Sequence, residues 1–303
     1  MAANFFGYLP YGLLCALAAM RRVSPVAAIA VATATGALLS LLLEAAQSYL
    51  PARIPSTVDV LANVAGAVSG GVLAAVLAQW LLGGGPLRRL RAQALTPGAA
   101  ADLGLGLLCL WLFAQLNPAT LLFGTGDLRD LLASVEGERH KAELFVSVEA
   151  AITAMNFAAV AVLASAGARP GAPLRQLVAL LVFVALVVKT LAFAILMRAE
   201  DVFAWLTPGA QLGLVAGLGL AMAALWLPRA ARLALAAVLL MAATVLVNLA
   251  PPNPYFAATL KVWEQGHFLN FNGLTRLVSA AWPFAALAYL VYLAASRLRD
   301  PLR

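Results

Sequence analysis

The chain alternates between long apolar runs and short stretches rich in charge, proline and glycine. Apolar runs fall at about 5–20, 26–43, 58–82, 99–116, 144–166, 176–197, 209–227, 233–249 and 278–296. A helix rising 1.5 Å per residue needs roughly 20 apolar residues to cross a ~30 Å hydrocarbon layer, and most of these runs approach that length. The pattern predicts an all-α fold, a polytopic transmembrane helix bundle of about nine spans. The first three runs and the basic loop after them form one expected domain, 1–97. The remaining six form a second, 98–303. The first run starts almost at Met1 without a charged leader region or small-residue cleavage site, so no signal peptide is expected.

Composition supports the same picture. Hydrophobic residues make up 63% of the 303, charged residues 11%, and the mean hydropathy is +0.92. Soluble domains carry roughly 25% charged residues. So apolar a chain cannot clothe a single core in polar surface, and lipid is its expected solvent. Cys15 and Cys109 both lie inside apolar runs, so neither a disulfide framework nor a metal knuckle is indicated. His140 and His267 stand alone in their loops, and neither a metal nor another cofactor is expected.

The placement of the basic residues orients the chain. Arg21, Arg22, Arg88, Arg89 and Arg91, then Arg169, Arg175, Arg229 and Arg232, then Arg297, Arg299 and Arg303 fall in alternate loops and the C-terminal tail. The other loops hold fewer basic residues and nearly all the acids. Because basic residues mark cytoplasmic loops, the N-terminus is expected outside and the C-terminus inside. The net charge of +7 then reflects inner-leaflet anchoring. No loop clusters enough basic and aromatic residues to bind nucleic acid.

Two outward loops are long. In the first, 117–143, Leu128, Leu131, Leu132 and Val135 recur at helical spacing and predict an amphipathic helix on the outer surface. The second, 250–277, runs from Pro251 through Lys261, Trp263, His267, Asn270, Asn272 and Arg276. It reads either as a surface loop or as a lid over an outward cavity.

The short connection between the second and third runs carries the densest chemistry. Glu44 and Gln47 share one helical face, Arg53 follows Pro51 in the turn, and Asp59 and Asn63 share a face of the next helix. Ser56 suits an N-cap, with Asp59 favoured near that helix's positive end. Gly66 and Gly70 continue the Asp59–Asn63 stripe, and small residues there let another helix approach closely. Charges and amides at this depth are costly unless they pair or line a wet cavity. The stripe is either a hydrogen-bonded lock on the hairpin or an outward polar pocket.

This spacing, Glu-x-x-Gln, then Pro and Arg, then Asp-x-x-x-Asn-x-x-Gly, resembles the VanZ-like membrane proteins. Asn4, Gly7, Tyr8, Pro10 and Gly12 are similar to that family's Asn-x-x-Gly-Tyr-x-Pro-x-Gly helix start. The resemblance covers roughly residues 3–82. Members usually carry a further helix ahead of this stretch; one more span would give ten helices and an inside N-terminus, with every loop assignment unchanged. An offset of 59 residues also relates Ala3-Asn4-x-x-Gly7 to Ala62-Asn63-x-x-Gly66, the mark of a possible parallel duplication.

Polar residues elsewhere in the spans are Lys189, Glu149, Asn156 and Asn248. Lys189 is expected to snorkel outward, to pair with an acid such as Glu149 or Glu44, or to face a cavity. Asn156 and Asn248 are expected to bond between helices.

The resemblance implies a bacterial cytoplasmic membrane protein of the cell envelope. The family's founding member is associated with low-level teicoplanin resistance. The residues lead to an outward pocket for an amphiphile: a lipid-linked cell-wall precursor, an anionic lipid or a lipoglycopeptide, with membrane lipids as the general partners. Arg53 would meet a phosphate or carboxylate, Glu44 and Asp59 would orient it, and Gln47 and Asn63 would supply amides. Asn4, Gly7, Pro10, Gly12, Gly66 and Gly70 would shape the helix packing. The alternatives are a membrane enzyme using Glu44 or Asp59 as general acid/base, and a transporter.

Overall fold

The computed structural model describes residues 2–47, 57–81, 85–129, 141–197, 201–251, 253 and 269–298. The described residues form ten α-helices: α1 (Ala2–Ala19), α2 (Pro25–Gln47), α3 (Thr57–Leu81), α4 (Pro86–Ala94), α5 (Ala99–Ala114), α6 (Ala142–Ala166), α7 (Leu174–Leu196), α8 (Pro208–Leu225), α9 (Arg229–Leu249) and α10 (Leu269–Leu298). Seven are long and apolar enough to cross a membrane, and α1 and α5 are shorter apolar helices. The chain is an all-α, multi-pass membrane protein. Apolar side chains such as Leu14, Val76, Ile195 and Val215 point outward, as lipid-facing surfaces require.

Two compact units divide it, Met1–Gln93 and Ala94–Arg303. In the first, α1 packs closely along α3 because three glycines remove the side chains between them. A Cβ on Gly12 would fall on the Ala67 carbonyl, one on Gly66 on the Phe5 carbonyl, and one on Gly70 on the Leu9 carbonyl. Backbones this close gain dispersion contacts that lipid cannot match. Gly36 of α2 meets Ala67 and Tyr11 in the same way. Gly7 departs from this pattern, with nothing within 4 Å of where its Cβ would lie. Pro10, inside α1, is exposed.

The second unit is built around α6, most of which is buried. Glycines of α8 at four-residue spacing, Gly209, Gly213 and Gly217, seat that helix against Glu149, Thr153 and Phe157 of α6. Trp282 Nε1 donates to the Leu107 carbonyl at 2.7 Å and Tyr289 Oη to the Ala100 carbonyl at 2.9 Å, tying α10 to α5. At the arginine-rich end, Leu95 and Ala168 form an antiparallel bridge. Arg229 Nη2 donates to the Ala166 carbonyl at 3.2 Å.

Three local expectations change. Residues 86–94, read as a basic loop, form the short helix α4. Pro86 starts it, and Leu90 and Ala94 follow at helical spacing among the arginines. The stretch 269–277, assigned to a loop, is the opening of α10, so Asn270, Asn272 and Arg276 are helical. Gly273 alone does not break it, and apolar content alone underestimates a helix whose first turns are polar. The amphipathic helix expected over 128–135 lies largely outside the described residues, and Leu128 and Arg129 are not helical.

Candidate functional site

In the N-terminal unit, three helices bring polar side chains together. Ser40 and Glu44 lie one turn apart on α2, Asn63 sits in the second turn of α3, and Tyr8 comes from α1. Asn63 Nδ2 donates to Ser40 Oγ at 2.9 Å, and both residues are buried. The Tyr8 hydroxyl faces Ser40 and Glu44. Its oxygen is buried and, beyond that contact with Ser40, meets no partner among the described residues, and Asn63 Oδ1 is buried without one among them. Two buried polar atoms with bonding capacity left therefore stand near the half-buried Glu44, an arrangement that suits a further donor and acceptor.

Two further expected site residues lie on α3 and α1. Asp59 occupies the first turn of α3, partly exposed, one turn before Asn63. Asn4 lies near the start of α1 and is partly buried. Gln47 ends α2, and its side chain lies outside the described residues, as does the whole of Arg53 with the turn 48–56. Ser40 and Tyr8 were missed as site residues. The signals were present: a lone hydroxyl one turn before Glu44, and a tyrosine whose hydroxyl had no assigned partner.

The second unit holds a polar arrangement of a different kind. After α5 the chain leaves helical geometry, yet Gln115, Asn117 and Leu122–Gly126 are buried. Backbone away from helix within a membrane bundle must find its partners in protein. Here it does. Lys189 of α7, fully buried, donates to the Asn117 carbonyl at 2.8 Å, the Thr120 carbonyl at 2.7 Å and the Thr120 hydroxyl at 3.1 Å. Those bonds replace the expected alternatives of snorkelling outward, pairing with an acid or facing a cavity: the side chain is fully buried, and carbonyl and hydroxyl oxygens satisfy all three ammonium hydrogens.

A stripe on α6 meets the same segment. Thr153 Oγ1 donates to the Leu122 carbonyl at 3.2 Å, and the Thr125 hydroxyl donates to Asn156 Oδ1 at 3.2 Å. Asn248 of α9 accepts from the Leu128 N–H at 2.7 Å and donates to the Gly126 and Thr244 carbonyls, each at 2.7 Å. Asn156 and Asn248 thus hold a loop, where interhelical bonds were expected.

Proline supplies another anchor. Pro283 inside α10 has no N–H for the Ser279 carbonyl four residues earlier, and that carbonyl accepts the Gly126 N–H at 2.8 Å. Gly126 has φ +80°, and a Cβ there would lie 2.9 Å from both Pro283 and Thr244. Phe123, at φ 60°, donates its N–H to Gln115 Oε1 at 3.1 Å, with its ring between Trp111 and Phe157. A left-handed aromatic residue is strained, and these contacts on both sides hold it there.

Residues 1–78 match the VanZ/LLP1 family model. No curated protein and no solved structure matches the chain. The matched stretch contains α1, α2 and most of α3, together with Tyr8, Ser40, Glu44, Asn63 and the three glycines of the α1–α3 contact. Residues 1–78 are therefore VanZ-like, within a multi-pass membrane protein.

Proposed function

We propose that the N-terminal unit recognises the polar head of an amphiphile from within the membrane, at the cluster formed by Tyr8, Ser40, Glu44 and Asn63. The observation that carries this reading is the buried Asn63 Oδ1, without a hydrogen-bond partner among the described residues, together with the buried Tyr8 hydroxyl facing Ser40 and Glu44. One donates and the other accepts, so a head group bearing hydroxyls, amides or an ammonium satisfies both and regains what their burial costs. Gln47, at the end of α2, would add an amide, and Arg53, six residues further along the sequence, a phosphate or carboxylate contact. The arginine-rich loops and tail support a cytoplasmic-membrane protein with this cluster toward the outer leaflet. A lipid-linked cell-wall precursor, an anionic lipid and a lipoglycopeptide all carry such heads, and glycopeptide tolerance would follow from competition for the last.

Lipid mass spectrometry of the gently purified full chain tests this. One head-group class is expected to be enriched over the bulk membrane, with the enrichment lost in Tyr8→Phe and Asn63→Leu. Lipid of bulk composition on the wild type would remove the proposal.

A transport reading is favoured by one specific observation, the buried non-helical segment after α5, because broken helices line solute paths in transporters. Time-dependent solute uptake into liposomes containing the protein separates the two readings.

A further inference from the structure

A cavity lies wholly within the C-terminal unit, beside the non-helical segment. It has a volume of about 150 Å³. A protein cavity of about that volume takes up a benzene-sized molecule, so this one has room for a small alkylammonium group. Its polar lining is graded by depth. Asp127 and Arg129, paired through two hydrogen bonds of 2.6 and 3.0 Å, are 36% and 30% exposed. Glu149, Thr125 and Ser279 are 5%, 2% and 3% exposed. The walls between are apolar, including Phe145, Ile152 and Val247.

Three acceptors face this space with capacity to spare. Glu149 makes no ion pair among the described residues. Its one polar partner is the Thr207 hydroxyl at the N-terminus of α8, where Gly209 lets the carboxylate approach. That helix end offsets part of the charge, but a carboxylate has about four lone-pair sites, and one hydrogen bond leaves most of them open. Ser279 Oγ is buried with no hydrogen-bond partner among the described residues. Thr125 gives its proton to Asn156, which leaves its oxygen free to accept. A buried carboxylate without a counter-ion is costly, and a cation held by these oxygens removes that cost.

We propose that this cavity binds a primary ammonium group, with Glu149 as the counter-ion, the Thr125 and Ser279 hydroxyls as acceptors, and the apolar walls around the alkyl portion. The stoichiometry favours this cation. Three N–H donors meet three acceptor groups, whereas a bare metal ion of the hard class takes six or more oxygens. Lys189 provides a precedent in the same segment, its ammonium held by two carbonyls and a threonine hydroxyl. Lys189 does not line the cavity, so the ligand and the lysine do not compete for the same oxygens. The site shares no residue with the N-terminal cluster, and either stands without the other.

Thermal unfolding of the purified full chain in detergent, at matched ionic strength, tests the site with methylammonium, tetramethylammonium and sodium chlorides. Methylammonium is expected to raise Tm in a saturable way, as a ligand of the folded state must. Tetramethylammonium, which has no N–H, and sodium are expected to give no saturable rise. Glu149→Gln removes the response, and Ser279→Ala weakens the apparent affinity about tenfold, the loss of one hydrogen bond to a charged group. Should Glu149→Gln fail to fold, Ser279→Ala carries the comparison. Equal responses to the three salts, a response to sodium alone, no response in the wild type, or an undiminished response in the folded variants would each overturn the proposal.

Discussion

The Lys189 ammonium lies 2.8 Å from the carbonyl oxygen of Asn117, a residue 72 positions earlier in the chain. A charge buried inside a lipid-facing helix is thereby spent on backbone that left helical geometry at the end of α5. Lys189→Met keeps the length of the side chain and removes its donors. The Asn117 and Thr120 carbonyls then lose their charged partner, and the variant should be less stable by about 2–4 kcal/mol. Equilibrium unfolding of the full chain in one detergent measures this, and an unchanged midpoint would show that the carbonyls find other donors.

The α1–α3 contact makes a paired prediction. Gly66→Ala drives a methyl group onto the Phe5 carbonyl, while Gly7→Ala meets open space. The first should cost about 1–3 kcal/mol through overpacking. The second should stay within about 0.5 kcal/mol of the wild type. Both are read from the same unfolding midpoint, and equal effects would refute the close approach of the two helices.

Asn63 and Ser40 should be energetically coupled. A double-mutant cycle with Asn63→Ala and Ser40→Ala is expected to return about 0.5–1.5 kcal/mol for their 2.9 Å hydrogen bond. Strict additivity would mean that the two side chains do not interact.

Asn248→Leu deletes the bonds donated to the Gly126 and Thr244 carbonyls and the one accepted from the Leu128 N–H. The expected loss is about 2–3 kcal/mol. Hydrogen exchange gives the sharper reading, because protection of the Leu128 amide should fall while that of α6 is kept.

Gly126→Ala places a β-carbon at a positive φ and against Pro283 and Thr244. Destabilisation of about 1–3 kcal/mol should follow, with the unfolding midpoint as the measurement.

These contacts explain what the amino-acid order reveals and what it conceals. Apolar runs locate the helices because crossing lipid imposes a length and a composition, and Gly66 and Gly70 stand out because they repeat on one helical face. The partner of that face, α1, is not legible in the same way: a flat groove does not say which helix fills it. Around the hairpin, Glu44 and Asn63 are visible as polar residues in apolar surroundings, whereas Ser40 as the atom between them depends on how α2 and α3 rotate against each other. The buried segment after α5 is the largest surprise. Polar residues followed by Pro, Gly and Asp read as an exposed loop, and nothing local indicates that Lys189, Asn156 and Asn248 will supply its hydrogen bonds. Each of these had a conspicuous position within a span, but periodicity describes faces and carries no information on such remote pairings.

That remoteness constrains how the protein is made. The Leu128 amide needs Asn248, which a ribosome adds 120 residues later, and at 5–20 residues per second the interval is about 6–24 s. Throughout it, the stretch that follows α5 has no complete set of partners and belongs in water at the membrane face. Its partners are complete only once α9 and α10, which carry Asn248 and Ser279, have both been added, so closure of the C-terminal unit is expected to be a late event.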